Sequence, residues 1–162
     1  SPTTITLGAD QGAWLQIRPG NGPVDLYLLG ELSESNRTIP VGVGMNLIGT
    51  CYPVSVQLVD SNLWGSGLTG ADNEGAADRV WSWVNANYEF IWLGEGISAQ
   101  TDGQWYIGNT PVNRTLEPGK GYWIQRRDNS SLQWNYLKHG AIISVTDGQI
   151  RIRQLPIKPD SA

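Results

Sequence analysis

The chain has almost none of the Cys and His from which many nucleophilic and transition-metal sites are built. Its 162 residues include one Cys, one His, one Met and one Phe. With Cys51 alone, an intrachain disulfide is excluded, and a buried thiol is the simplest reading. One Cys and one His also exclude a zinc site of ordinary ligand spacing and a histidine-rich copper or iron site. A nucleophile–histidine triad would have to use His139, in "LKHGA", which reads as a turn between strands and suits a solvated residue. No apolar run approaches the roughly 20 residues of a membrane-spanning helix, and no charged-then-apolar start marks a signal peptide, so no membrane insertion is expected. Positive charge is scarce too. A net charge of −4 argues against a nucleic-acid partner, which requires a basic stripe to displace phosphate counterions. The balance is uneven along the chain, −8 over residues 1–113 and +4 over 114–162, but folding interleaves such halves and no charged face follows from it.

What the chain does have is 20 Gly, 9 Pro, 8 Trp and 6 Tyr, a composition of turns and amphipathic rings. Its length suits one domain, taken here as 1–162 with 156–162 as a tail, able to bury about 70% of its unfolded surface without a staple. Period-two alternation recurs at 3–7, 13–18, 24–29, 80–84, 88–93, 122–127, 142–145 and 149–155, which predicts strands. Turn signals separate them: "PGNGP" at 19–23, "EPGKG" at 117–121, and "TDGQ" at both 101–104 and 146–149. No stretch offers three turns of helical periodicity. In "NEGAADRVWSWV", Asp72 or Asn73 can cap one turn before a strand takes over. The expected class is all-β, an antiparallel β-sandwich or flattened barrel with at most one short helical turn. In "VWSWVNANYEFIWL" the loop sets the partners. A two-residue loop at Ala86 and Asn87 pairs Trp83 with Phe90 and Trp81 with Trp92, whereas a three-residue loop pairs Trp83 with Glu89.

Read in order, "GMNLIGTCYP" (44–53), "AADRVWSWV" (76–84), "YEFIWL" (88–93), "GQWYIG" (103–108) and "TLEPGKGYWIQRR" (115–127) resemble a recurring module of large secreted or cell-surface bacterial proteins. Cys51 departs from the small polar residue common there, and residues from 128 onward do not match. The resemblance implies a secreted or surface location and neighbouring domains of a larger surface protein. A chain that begins at Ser1 and ends "LPIKPDSA" fits an excised piece of such a protein. The residues agree that these motifs are scaffold: Asn46 can bond its own backbone between Gly44 and Gly49, Pro53 ends ladder pairing, and the turn at 117–121 delivers Trp123 into a sheet. A phosphate cradle at "EPGKG" fails because no helix follows.

Three kinds of site remain. Asp72, Asn73, Glu74 and Asp78 bring hard oxygen ligands together in "GADNEGAAD", which suits calcium, although the EF-hand spacing is absent and a solvated acidic loop accounts for the same residues. Apart from calcium, no cofactor is expected. A carboxylate pair for glycoside hydrolysis is open in principle among fifteen acids, none in a catalytic context, so an enzyme is the minority reading. Aromatics are the stronger signal, since Trp and Tyr combine a flat apolar face with a polar edge suited to sugar rings. Trp81, Trp83, Trp105 and Trp123 are assigned to the core on the strand pattern. Trp64 in the "DSNLWGSGLTG" loop, Trp92, and the pair Trp134 and Tyr136 on one side of a strand are the candidate ligand-binding residues. The resulting expectation is a non-catalytic carbohydrate-binding module whose partner is a polysaccharide or glycan. The alternative is a structural or adhesive module with no small ligand. Sequons at Asn36, Asn113 and Asn129 matter only in a host that glycosylates them.

Overall fold

The computed structural model describes residues 4–8, 10–20, 22, 36–50, 53–98 and 100–136, and the backbone of two further strands, 141–146 and 149–154. Among the described residues are strands β1 (Arg37–Val41), β2 (Gly44–Gly49), β3 (Val56–Gln57), β4 (Arg79–Val84), β5 (Asn87–Leu93), β6 (Trp105–Ile107), β7 (Thr110–Val112), β8 (Thr115–Leu116), β9 (Gly121–Arg126), β10 (Leu132–Tyr136), β11 (Ala141–Thr146) and β12 (Gln149–Gln154). A single 3₁₀ turn, Leu58–Asp60, is their only helical element. The protein is all-β, as its alternation predicts, and every strand pairing is antiparallel.

One six-stranded sheet runs β2-β9-β4-β5-β6-β7, and two-stranded sheets β1-β10, β3-β8 and β11-β12 accompany it. Among the described residues the large sheet is open, with β2 and β7 as its edges. Its inner face carries Ile48, Val80, Ile91, Leu93, Trp105 and Ile124, in one core with Ile39 and Val41 of β1, Leu132 and Trp134 of β10, Val56 of β3 and Leu116 of β8. That layering is sandwich-like: alternate residues of the large sheet face the shorter pairs across the core.

The β4–β5 hairpin turns on Asn85 and Ala86, at φ 49° and 62°. Two consecutive left-handed residues make the type I′ turn, whose twist matches the strands it joins. The register is therefore Trp83↔Tyr88, Trp81↔Phe90 and Arg79↔Trp92, replacing both pairings expected from the sequence. Asn46 fills its scaffold role, with its Nδ2 donating to the Gly42 and Gly44 carbonyls at 2.8 and 3.1 Å and its Oδ1 accepting from the Gly42 N–H at 2.9 Å. In the 117–121 turn the left-handed residue is Gly119, at φ 75°. The alternating stretches at 3–7 and 13–18 form no regular strand in their described residues. Alternation specifies two faces but supplies no ladder partner, and this segment makes one bridge, Gln11 to Ile48. Residues 24–29, Cys51 and His139 lie outside the described residues.

Two buried polar centres close the core. Arg126 spans both sides of one: it donates to Asp78 Oδ2 at 2.7 Å, the Gly67 carbonyl at 2.8 Å, the Ser130 carbonyl at 2.6 Å and Asp128 Oδ2 at 3.0 Å. In the other, Tyr122 accepts from the Glu117 N–H at 2.7 Å and donates to the Thr115 carbonyl at 3.4 Å. Burial raises the Tyr122 pKa above its ordinary 10.0, outweighing the Glu117 N–H, which lowers it. The unfolded chain thus loses this proton first, so the contribution to stability is present below about pH 10 and is lost as pH rises further. Melting followed from about pH 8 to 11 is expected to fall less steeply in Tyr122→Phe than in the parent chain; parallel curves would show that Tyr122 is not the group responsible.

Candidate functional site

Trp134 and Tyr136 alternate onto one side of β10, as the sequence indicates, but that side is the core. Trp134 is 2% exposed and Tyr136 is fully buried; their rings stack at 4.5 Å and 19°, and Trp134 Nε1 donates to the Ser61 carbonyl at 2.7 Å. The polar Gln133 and Asn135 take the solvent side. The surface platform expected from this pair is therefore corrected: the apolar side of a half-buried strand is the one that packs.

Trp92 is also buried. It stacks on Tyr106 at 4.9 Å, donates from Nε1 to the Gly108 carbonyl at 2.9 Å, and shares a small second cluster with Ala77, Ala71 and Phe90. This cluster lies on the other side of the large sheet, where residues 71–77 fold over its β5–β6 end. Trp64 alone of the expected ligand residues is surface-exposed, at 46%, with its indole lying on Gly103, where an added Cβ would approach it to 2.4 Å.

The acidic loop separates into two parts. Asn73 caps one turn as expected, its Oδ1 accepting from the Ala76 N–H at 3.2 Å, while Asp72 accepts from Asn73 Nδ2 and Glu74 lends its carbonyl to Arg79. Asp78 is buried and accepts from the Thr69 N–H at 2.8 Å, the Arg127 N–H at 2.6 Å and Arg126. Its carboxylate is engaged as a structural ion pair, which corrects its grouping with Asp72, Asn73 and Glu74 as a calcium ligand. No three His, Cys, Asp or Glu side chains among the described residues form a metal-binding group.

The outer face of the six-stranded sheet supplies what these positions do not. Alternation places Trp81 and Trp83 of β4, Tyr88 and Phe90 of β5, and Trp123 of β9 on this side. Trp83 is 50% exposed and Tyr88 nearly as much, whereas Trp81, Phe90 and Trp123 are half-buried. The core assignment holds for Trp105 and fails for Trp83, because the hydrophobic pattern of β4 continues onto a face over whose hairpin end no described residues form a second layer; Trp81 and Trp123, half-buried on the same face, also lie outside the core clusters. Polar tips are held in place: Trp81 Nε1 donates to Gln125 Oε1 at 3.1 Å and Trp123 Nε1 to the Tyr88 hydroxyl at 3.4 Å. The charged residue within this group, Arg79, lies over the Phe90 ring at 4.2 Å and donates to the Glu74 carbonyl. Burial, then repulsion from Arg127, lowers its pKa against the opposing pull of Glu74.

One further ring comes from outside the sheet. The Gly49 N–H donates to the Asp10 carbonyl at 3.1 Å, and Gln11 passes so close that a Cβ on Gly49 would lie 2.7 Å from its carbonyl oxygen. A Cβ on Gly12 would lie equally close to Leu47 Cγ, so both glycines are needed for this approach. Two residues on, Trp14 reaches Trp83 at 5.8 Å and Tyr88 at 6.2 Å while remaining 61% exposed. The sequence signal for this cluster was available in "GAWLQ" and "WSWVNANY", but the register and the long-range approach that unite them were not. Comparison of the chain with protein-family models, with curated proteins and with solved structures finds no match.

Proposed function

We propose that the chain is a non-catalytic carbohydrate-binding module of a secreted or cell-surface bacterial protein, and that glycan stacks on the outer face at Trp83, Tyr88 and Trp14. The observation that carries this reading is the exposure of these three rings at one place, beside polar tips fixed by Trp123 and Gln125. Aromatic faces desolvate the C–H surface of a sugar, and phenol and amide groups meet its hydroxyls. Trp64, exposed in its loop, is a separate contact candidate.

Affinity electrophoresis and sedimentation against a panel of soluble and insoluble polysaccharides test the reading. At least one glycan should bind the parent chain, and Trp83→Ala should weaken that binding on the order of tenfold without changing the melting temperature. Binding to no glycan, or full binding by Trp83→Ala, would remove the proposal.

A structural or adhesive module is the second reading, favoured by the exposure of Met45, on the same face, and of Leu15 and Ile17 close to Trp14 in sequence. Concentration-dependent sedimentation velocity discriminates the two: on that reading the chain self-associates through this face and Trp83→Ala dissociates it, with no glycan bound.

A further inference from the structure

The angles between the rings bear on the kind of glycan, if the carbohydrate reading above holds. Trp83 stands at 77° to Trp14 and at 76° to Tyr88, with centroids 5.8 and 4.8 Å apart, whereas Trp14 and Tyr88 differ by 33°. The three rings make a corner instead of a plane. A crystalline polysaccharide presents one flat surface and would meet such a corner at its ring edges. A single chain, exposed on all sides, can set one sugar face on Trp83 and turn another side toward Tyr88 or Trp14.

The floor beside the corner is made of glycine. Gly49 and Gly121 are register partners on the outer face. A Cβ added to Gly121 would meet Leu47 Cδ1 at 3.5 Å and the Ile48 carbonyl at 3.9 Å, ordinary contact distances, so this glycine pair lowers the floor next to Leu47 and Trp123. Its Gly49 end is roofed by Gln11 and Gly12, which carry the chain toward Trp14. Charge narrows the ligand as well. Arg79, over Phe90 and bound to the Glu74 carbonyl, brings the charge to this ring group, and Trp83, Tyr88, Trp123 and Gln125 present only neutral donors, acceptors and rings. A neutral polyol complements that surface; a polyanion would be desolvated against it and meet only Arg79, which is already engaged by the Phe90 ring and the Glu74 carbonyl.

We infer that this site takes a single, soluble, uncharged glycan chain, held between Trp83 and Tyr88 of the sheet and Trp14 of the crossing segment. The test uses the full chain with Trp14→Ala and Trp83→Ala, each checked for an unchanged melting temperature. Gels contain mixed-linkage β-glucan, arabinoxylan or glucomannan as neutral soluble chains, and polygalacturonate or alginate as anionic ones; microcrystalline cellulose and chitin serve in sedimentation assays. The expected result is retardation by at least one neutral soluble glycan, with affinity several-fold lower in Trp14→Ala and on the order of tenfold lower in Trp83→Ala. Binding confined to the crystalline solids or to the polyanions would overturn this inference and leave the carbohydrate reading standing. Parent-like binding by Trp14→Ala would overturn the role of the crossing segment. Binding to no polysaccharide would remove the carbohydrate reading and this inference with it.

Discussion

Trp134→Ala is expected to lower the free energy of unfolding by about 3–5 kcal/mol, the range for emptying a large aromatic site in a core. Several losses coincide there. The indole is sealed from solvent, stacks on Tyr136, and is the donor that satisfies the buried Ser61 carbonyl. Alanine would leave a cavity between β10 and the large sheet and an acceptor with no indole to meet it. Urea titration should show a lower midpoint with an unchanged slope, corresponding to a melting temperature lower by ~10 °C or more for a chain of this length. Gln133→Ala, on the solvent side of the same strand, should stay within about 0.5 kcal/mol. A loss below about 1 kcal/mol in Trp134→Ala would mean that β10 does not present this residue to the core.

Asp78→Ala should be comparably damaging, through charge instead of volume. Breaking a buried ion pair by removing one partner typically costs about 3–5 kcal/mol, because the surviving charge is stranded. Arg126 would keep Asp128, which is partly exposed, and two carbonyl acceptors, while the Thr69 and Arg127 N–H groups would lose theirs. The double variant Asp78→Ala with Arg126→Met removes both charges and should recover part of the loss, since paired removal strands neither. A double variant whose loss equals the sum of the two single losses would show that the pair is not energetically coupled.

These two residues mark where the sequence is legible and where it is not. The strands around Trp81, Phe90, Trp123 and Trp134 can be read because alternation is a local property of the backbone. Which side of a strand is covered depends on what crosses it. The same spacing that puts Trp134 in the core leaves Trp83 on the surface. Asp78 stands six residues from Asp72 and reads as part of one acidic loop, yet its partner Arg126 is 48 residues away on β9. The β4–β5 register was obscured by Ala86, whose left-handed conformation its residue type does not announce. Trp14 belongs to a stretch that alternates like a strand but reaches the large sheet through only one bridge, to Ile48.

The two margins of the large sheet bear on how the molecule behaves when crowded. An unprotected edge strand is a template on which another copy can add its own strand and begin a fibre. At one margin the Asp10 carbonyl already takes the outward N–H of Gly49, with Gln11 bridged to Ile48. The opposite margin is only three residues long and has Pro111 at its centre, a residue with no N–H to offer. Among the described residues neither margin offers a long, regular run of vacant hydrogen-bonding groups, so the sheet gives a second copy little edge on which to add a strand, even at high concentration.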